Sequence, residues 1–146
     1  MRVTIRTVAV IGAGTMGAGI AQVCAQAGWK TRLFDAFPEG LEAGMNRIDA
    51  FWDKGISRGK TTAEQKETWR QHLAPFSELA DAVNGVDLVI EAVPEILELK
   101  QRIFSDLDRL APKDAILGTN TSGLKISDIA NATSRPEKVI GMHFFN

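Results

Sequence analysis

Three glycines in the run Gly12-Ala13-Gly14-Thr15-Met16-Gly17 let a backbone turn sharply and pass close to a phosphate. Gly12 permits the tight turn out of a strand. Gly14 has no Cβ, so a pyrophosphate can approach the backbone and the N–H groups that open the next helix, those around Thr15 and Met16. Gly17 lets that helix lie close on the sheet. Asp35 stands 18 residues beyond Gly17, near the roughly 20-residue spacing at which an acid meets an adenosine ribose. A carboxylate there accepts hydrogen bonds from the 2′-hydroxyl of NAD and repels the 2′-phosphate of NADP. Ala36 and Phe37 offer no arginine to hold such a phosphate. The expected cofactor is NAD, and the expected cofactor-binding residues are Gly12, Gly14, Thr15, Met16, Gly17 and Asp35. On the motif alone two alternatives stay open: FAD, whose fingerprint is similar, and a glycine-rich turn that binds nothing.

These groups need a frame. Residues 7–11 (TVAVI) are β-branched and apolar almost throughout, as suits a strand buried on both faces of a parallel sheet. A small-residue helix over 18–27 ends at Gly28, and a second strand over 30–34 runs into Asp35. Pro38 opens a helix to about Gly55, with Leu41, Met45, Ile48, Phe51 and Trp52 on its expected buried face. After the turn Arg58-Gly59-Lys60, either Thr61 with Glu64 or Thr62 with Gln65 can form a capping box for a second helix to about His72. Strands are expected at 74–76, 87–92, 115–118 and 139–142, the first weakened by Pro75. Helices are expected at 94–110, with Ile96, Leu99, Ile103, Phe104 and Leu107 on one face, and at 126–130. The alternation predicts an α/β fold: one Rossmann domain over 1–146, a doubly wound, mostly parallel sheet with a helical hairpin inserted at about 38–72. Ligands of such sheets sit beyond the carboxyl ends of the strands. Segments 12–17, 91–95, 119–123 and 143–146 fall there together with Asp35.

Composition narrows the partners. A net charge of −1 and 45% hydrophobic residues describe an ordinary globular domain, with no basic patch for nucleic acid and no apolar run near the ~18 residues of a membrane span. The first six residues lead directly into a strand, leaving no room for a leader peptide. Cys24 is the single cysteine, which excludes an internal disulfide, fits a reducing compartment and makes the cytoplasm the expected location. No His/Cys/Asp/Glu cluster has ligand spacing, so no metal is expected.

Taken together, VAVIGAGTMGAGIAQVCAQAG (8–28), DLVIEAVPEILELKQRIF (87–104), ILGTNTSGLKISDIA (116–130) and GMHFFN (141–146) resemble the NAD-binding domain of the 3-hydroxyacyl-CoA dehydrogenases over essentially the whole chain. The glycine loop alone would name no family; the order IEAVPE, NTS, HFFN is specific. The resemblance implies a small-molecule substrate, an L-3-hydroxyacyl-CoA. It implies His143 as the catalytic base that takes the 3-hydroxyl proton while hydride leaves C3 for the nicotinamide. Ser122 and Asn146 match groups that hydrogen-bond the reacting oxygen or steady the nicotinamide, and Glu95 and Lys100 match cofactor-side contacts. A base with a pKa near neutrality suits this proton transfer, and serine and asparagine can hold the oxygen in both redox states.

The family's second domain, helical and dimer-forming, follows such a segment. Its glutamate that holds the second nitrogen of the histidine lies beyond HFFN. The expectation is therefore a chain lacking the C-terminal helical domain, one that binds NAD but does not turn over alone, from an intact enzyme that is a homodimer. Two departures touch CoA recognition. The position of the family's CoA-contacting serine aligns with Phe51, although basic Arg58 and Lys60 remain at the hairpin turn as candidate substrate contacts, and Gly123 replaces a second serine after NTS. Two alternatives follow: a dehydrogenase of a non-CoA 3-hydroxy compound, such as carnitine or a sugar acid, or a non-catalytic NAD-binding module.

Overall fold

A computed structural model describes residues 4–144. Six strands, β1 (Thr7–Ile11), β2 (Lys30–Phe34), β3 (Leu73–Phe76), β4 (Leu88–Glu91), β5 (Ile116–Thr119) and β6 (Val139–Gly141), form one sheet. Every pair is parallel and the order is β3-β2-β1-β4-β5-β6. The chain starts at the centre, steps outward to β3, then crosses back to β4. The crevice between β1 and β4 is thus the point where strand order reverses, the place such folds use for ligands.

The strand ends are flush. Phe76 pairs with Phe34, Phe34 with Ile11, Ile11 with Glu91, Glu91 with Thr119, and Thr119 with Gly141. One row of residues therefore closes all six strands, and the loops that leave this row emerge side by side.

Helices α1 (Thr15–Gln26), α2 (Pro38–Ser57), α3 (Ala63–Gln71), α4 (Leu79–Val83), α5 (Leu97–Leu110) and α6 (Ile126–Ala130) cover the sheet. Alternation along the strands sorts the core into two layers. Val8, Val10, Leu33, Leu88 and Ile90 face α1 and α2 through Ile20, Leu41, Met45, Ile48 and Trp52. Ala9, Ile11, Val89 and Leu117 face the other side, with Val83, Phe104, Leu107 and Ile129. Burying a side chain the size of Phe104, which is fully enclosed, contributes roughly 1.5–3 kcal/mol.

The hairpin forms as α2 and α3. Its box is the Thr62–Gln65 pair: Gln65 N–H donates to Thr62 Oγ1 at 3.1 Å and Thr62 N–H to Gln65 Oε1 at 2.9 Å. The Trp52 and Trp69 rings join the two helices at a centroid distance of 5.8 Å.

Several sequence expectations need correction. Phe51 lies on the solvent side of α2 and is exposed, because Trp52 takes the inward position. The first helix begins at Thr15, three residues earlier than its small-residue run. Conversely, α5 begins at Leu97 rather than Pro94, and Ile96 is exposed. The backbone at Val93 is drawn into side-chain hydrogen bonds with Glu91 and Lys100, which holds 92–96 as a loop. Helix α4 has only five residues, too few for a periodic signal. No helix among the described residues is long and apolar enough to cross a membrane.

Candidate functional site

The loop after β1 is held by contacts that only glycine allows. Gly12 has φ +107°, and a Cβ there would meet the Ala92 carbonyl oxygen at 2.8 Å. Its N–H donates to the Phe34 carbonyl at 2.8 Å. A Cβ on Gly17 would lie 1.7 Å from the Gly12 carbonyl oxygen. The tight approach expected between helix and sheet is therefore made first between α1 and its own loop. Gly14 differs: a Cβ there would meet nothing within 4 Å. It is the N-cap of α1, and no side chain caps that end. Thr15 is exposed and Met16 half-buried beside it. An uncapped helix N-terminus beneath open space favours an anion, since its first N–H groups lack intrahelical acceptors.

Asp35, one residue past β2, faces the same loop. Its Oδ2 accepts from Ala13 N–H and its Oδ1 from Phe37 N–H, both at 2.9 Å. Each carboxylate oxygen keeps a lone pair beyond these bonds. Gly12, Gly14, Asp35 and Phe37 line a cleft of about 470 Å³ that continues over Val93 to Ile103 and Arg102 of α5. An open cradle at a helix N-terminus with an acid on the same cleft fits a dinucleotide. Of the expected set, Gly12, Gly14 and Asp35 share this cleft.

A second cluster lies at the ends of β4 and β5. Glu91 and Lys100 are both 0% exposed. Lys100 Nζ sits 2.6 Å from Glu91 Oε2, 3.2 Å from the Val93 carbonyl and 3.3 Å from Glu95 Oε1. Glu91 Oε2 also accepts from Val93 N–H at 2.7 Å, and its Oε1 from the Thr119 hydroxyl at 2.6 Å. Glu95 in turn holds the turn after β5. Its Oε1 accepts from the Thr121 hydroxyl at 2.7 Å, and its Oε2 from the Ser122 and Gly123 amides at 3.0 and 3.2 Å. The Ser122 hydroxyl adds a longer bond of 3.4 Å. Burial pushes the Glu95 carboxyl up, but the Thr121 hydroxyl, the two amides and the Lys100 ammonium outweigh it and hold it at about 2. At neutral pH Glu95 is a carboxylate committed to this turn.

Lys100 is thus enclosed, and its ammonium faces two carboxylates and a carbonyl. The sequence places Glu91 at the ligand end of its strand but not against Lys100. The sequence trace of the pair is an acid ending an otherwise apolar buried strand, nine residues before a lysine. Lys125 is the N-cap of α6, and the Thr121 hydroxyl accepts from the Leu124 amide at 3.2 Å.

His143 is exposed just past β6. Its neighbours are fastened to β5: Met142 N–H donates to the Thr119 carbonyl at 2.9 Å, and Phe144 N–H to Asn120 Oδ1 at 3.2 Å. His143 therefore sits between two bonds to the strand end that leads to Ser122. Asn120 supplies one of them, a role the sequence did not disclose. Asn146 lies outside the described residues. Arg58 and Lys60 are exposed at the hairpin turn and line neither the glycine-loop cleft nor the Glu95 cluster.

The family model described as 3-hydroxyacyl-CoA dehydrogenase, NAD binding domain, matches residues 7–146. Over all 146 residues the chain is 43% identical to the 3-hydroxyadipyl-CoA dehydrogenase of Escherichia coli K12, covering 30% of that protein. It is 41% identical over 143 residues to a 3-hydroxybutyryl-CoA dehydrogenase of Mycobacterium tuberculosis, covering 97% of this chain and 50% of that one. The crystal structure of M. tuberculosis FadB2 superposes with a TM-score of 0.94 at 40% identity, over 98% of this chain and 50% of the other. The chain spans half or less of the length of these relatives. The matched span takes in every strand and helix of the sheet, and on that ground the chain belongs to the 3-hydroxyacyl-CoA dehydrogenase NAD-binding domain family, with NAD as its cofactor.

Proposed function

We propose that this chain serves an oxidoreductase that moves hydride between C3 of an L-3-hydroxyacyl-CoA and NAD. The observation that carries the reading is the fastening of two segments to one strand end. The Met142 and Phe144 amides pin the backbone around His143 to Thr119 and Asn120, while Glu95 holds Ser122 two residues further on. Both segments leave the same edge of the sheet as the glycine loop.

NAD, when bound, supplies the hydride acceptor. The Gly12–Gly14 backbone and the N-terminus of α1 hold its pyrophosphate, and Asp35 takes the adenosine ribose. His143 accepts the proton of the substrate 3-hydroxyl, and Ser122 and Asn146 hold that oxygen through the change from alcohol to ketone. Glu95 keeps the serine turn in place on the cofactor side, and Arg58 and Lys60 meet the charged part of CoA. The chain alone binds NAD with little turnover, and activity requires the further length that its relatives have.

The test joins this chain to the remaining part of the E. coli relative and follows NADH oxidation with acetoacetyl-CoA. Turnover is expected in the chimera, with His143→Gln lowering kcat by about 10²–10⁴-fold, the range for loss of a general base, while NADH affinity is unchanged. Robust turnover by His143→Gln would overturn the assignment of the base. Equal activity of the unfused chain would overturn the requirement for further length.

A further inference from the structure

The buried pair Glu91–Lys100 has no evident reason to be ionic. Such pairs contribute little net stability, because desolvation offsets their attraction, and apolar replacements often match them. Yet each polar side-chain atom of this pair has a partner. Thr119 Oγ1, Val93 N–H and Lys100 Nζ converge on Glu91. The Lys100 ammonium spends its remaining contacts on the Val93 carbonyl and Glu95 Oε1. Glu95 then spends both oxygens on residues 121–123. The interior ends of β4 and β5 are thereby linked to an exposed turn through one lysine.

We propose that Glu91 and Lys100 are a positioning pair: they fix Glu95, and through it the turn that presents Ser122, relative to the carboxyl ends of β4 and β5. The importance of that turn rests on the reading of Ser122 as a ligand of the substrate oxygen. The geometry gives Lys100 the central part. Among the described residues it is the one side chain that meets both carboxylates, so without it the Glu95 side chain is tied only to the turn it is meant to hold. Glu91 orients the lysine. Its second oxygen, on the Thr119 hydroxyl, sets that orientation against β5, the strand from which the Ser122 turn departs.

The experiment separates positioning from plain stability. Lys100→Met alone strands a buried carboxylate and is expected to melt well below the parent. Glu91→Gln/Lys100→Met removes both charges, while the carboxamide introduced at position 91 still accepts from Val93 N–H and meets Thr119, so the melting temperature is expected near the parent's. In this folded double variant the Ser122 and Gly123 amides should exchange hydrogen at least about tenfold faster than in the parent, with the amides of β1 and β4 unchanged. In the chimera, kcat with acetoacetyl-CoA should fall by a similar factor. Exchange at Ser122 and Gly123 within about twofold of the parent would overturn the proposal, as would faster exchange spread evenly over the sheet. Freed amides with an unaltered kcat would overturn it too. Should the double variant not fold, Lys100→Arg serves: a planar fork cannot reproduce the three contacts of the ammonium, and the same two amides are expected to loosen. The exchange measurement needs no substrate, so an inactive chimera would sink the dehydrogenase reading and leave this result standing.

Discussion

Alanine at Gly17 and alanine at Gly14 add the same methyl group to one loop, three residues apart, with different expected consequences. At Gly17 the new carbon would lie 1.7 Å from the Gly12 carbonyl oxygen, against an ordinary contact distance of 3.4 Å or more. The helix start and the strand exit would have to part by about the difference, in a loop whose other face rests on Ala92. Overpacking of that kind costs about 1–3 kcal/mol and occasionally more, a large share of the 5–15 kcal/mol that stabilises a typical domain. Gly17→Ala should therefore melt markedly earlier and bind NADH poorly. At Gly14 the carbon meets nothing within 4 Å, and φ is −70°, which alanine adopts readily. Replacing an N-cap glycine by alanine costs roughly 0.5–1 kcal/mol, and the stiffer unfolded chain offsets ~0.4–1 kcal/mol of that. The melting temperature should stay close to the parent's. The methyl group would nonetheless stand where the pyrophosphate approaches, and losing one hydrogen bond to a charged group costs about 1.5–3 kcal/mol. The NADH dissociation constant should rise at least about tenfold. Differential scanning fluorimetry and NADH fluorescence titration on the two variants suffice. A Gly14→Ala chain that binds NADH within about twofold of the parent would refute the placement of the phosphates.

Other perturbations read out separate parts of the molecule. Asp35→Asn should narrow the preference for NADH over NADPH by about tenfold or more, equivalent to ~1.4 kcal/mol; an unchanged ratio in paired titrations would count against the ribose role. Glu95 titrates at about 2 in the folded chain against 4.5 unperturbed. Its stabilising contribution is complete above pH 4.5 and disappears as pH falls from 4.5 toward 2. Glu95→Gln should flatten the stability profile across that window, and a parallel downward shift at every pH would argue against the depressed pKa. Thr62→Ala removes the cap of α3 and should cost about 1 kcal/mol in a denaturant melt while leaving NADH affinity intact. Burial raises the Cys24 thiol to about 11, so a thiol reagent under mildly alkaline conditions should label the native chain far more slowly than the unfolded one, and equal rates would contradict its burial.

Thr7–Ile11 is legible as a nearly continuous apolar run, and its bounds match the expected ones to the residue. Lys30–Phe34 also matches, although three of its five residues are polar, because Gly28 precedes it and Asp35 follows. The short helix Ile126–Ala130 does too. Even Pro75 fits its place, since β3 lies at the edge of the sheet, where a proline is tolerated. What escapes the sequence depends on tertiary contact. Phe51 and Trp52 are adjacent, and only packing shows which of the two turns inward. Pro94 has the look of a helix start, but the backbone at Val93 answers to Glu91 and Lys100, whose convergence follows from the sheet. The proposed ribose role of Asp35 comes from its spacing. The bond of Asp35 to Ala13 N–H does not, because that needs the loop folded over it. Glu95 and Lys100 come from motif resemblance, which says nothing about one being half-exposed and the other sealed.

The sheet also acts as a partition. Residues of α1 and α2 meet one face, those of α4, α5 and α6 the other, and within each strand neighbouring side chains belong to different layers. The Glu91–Lys100 pair and the helix that supplies the lysine lie on the α5 side, whereas the hairpin packs on the opposite side. Substitutions in the two layers share few partners, so their energetic effects should sum when they are combined. Changes to the hairpin are thus expected to leave the Glu91–Lys100 pair across the sheet little affected. The glycine loop has no such insulation: a Cβ on Gly44 of α2 would lie 2.6 Å from the Ala13 carbonyl oxygen and one on Gly40 3.3 Å from Asp35 Oδ1, so the first half of the hairpin and the dinucleotide cradle must vary together.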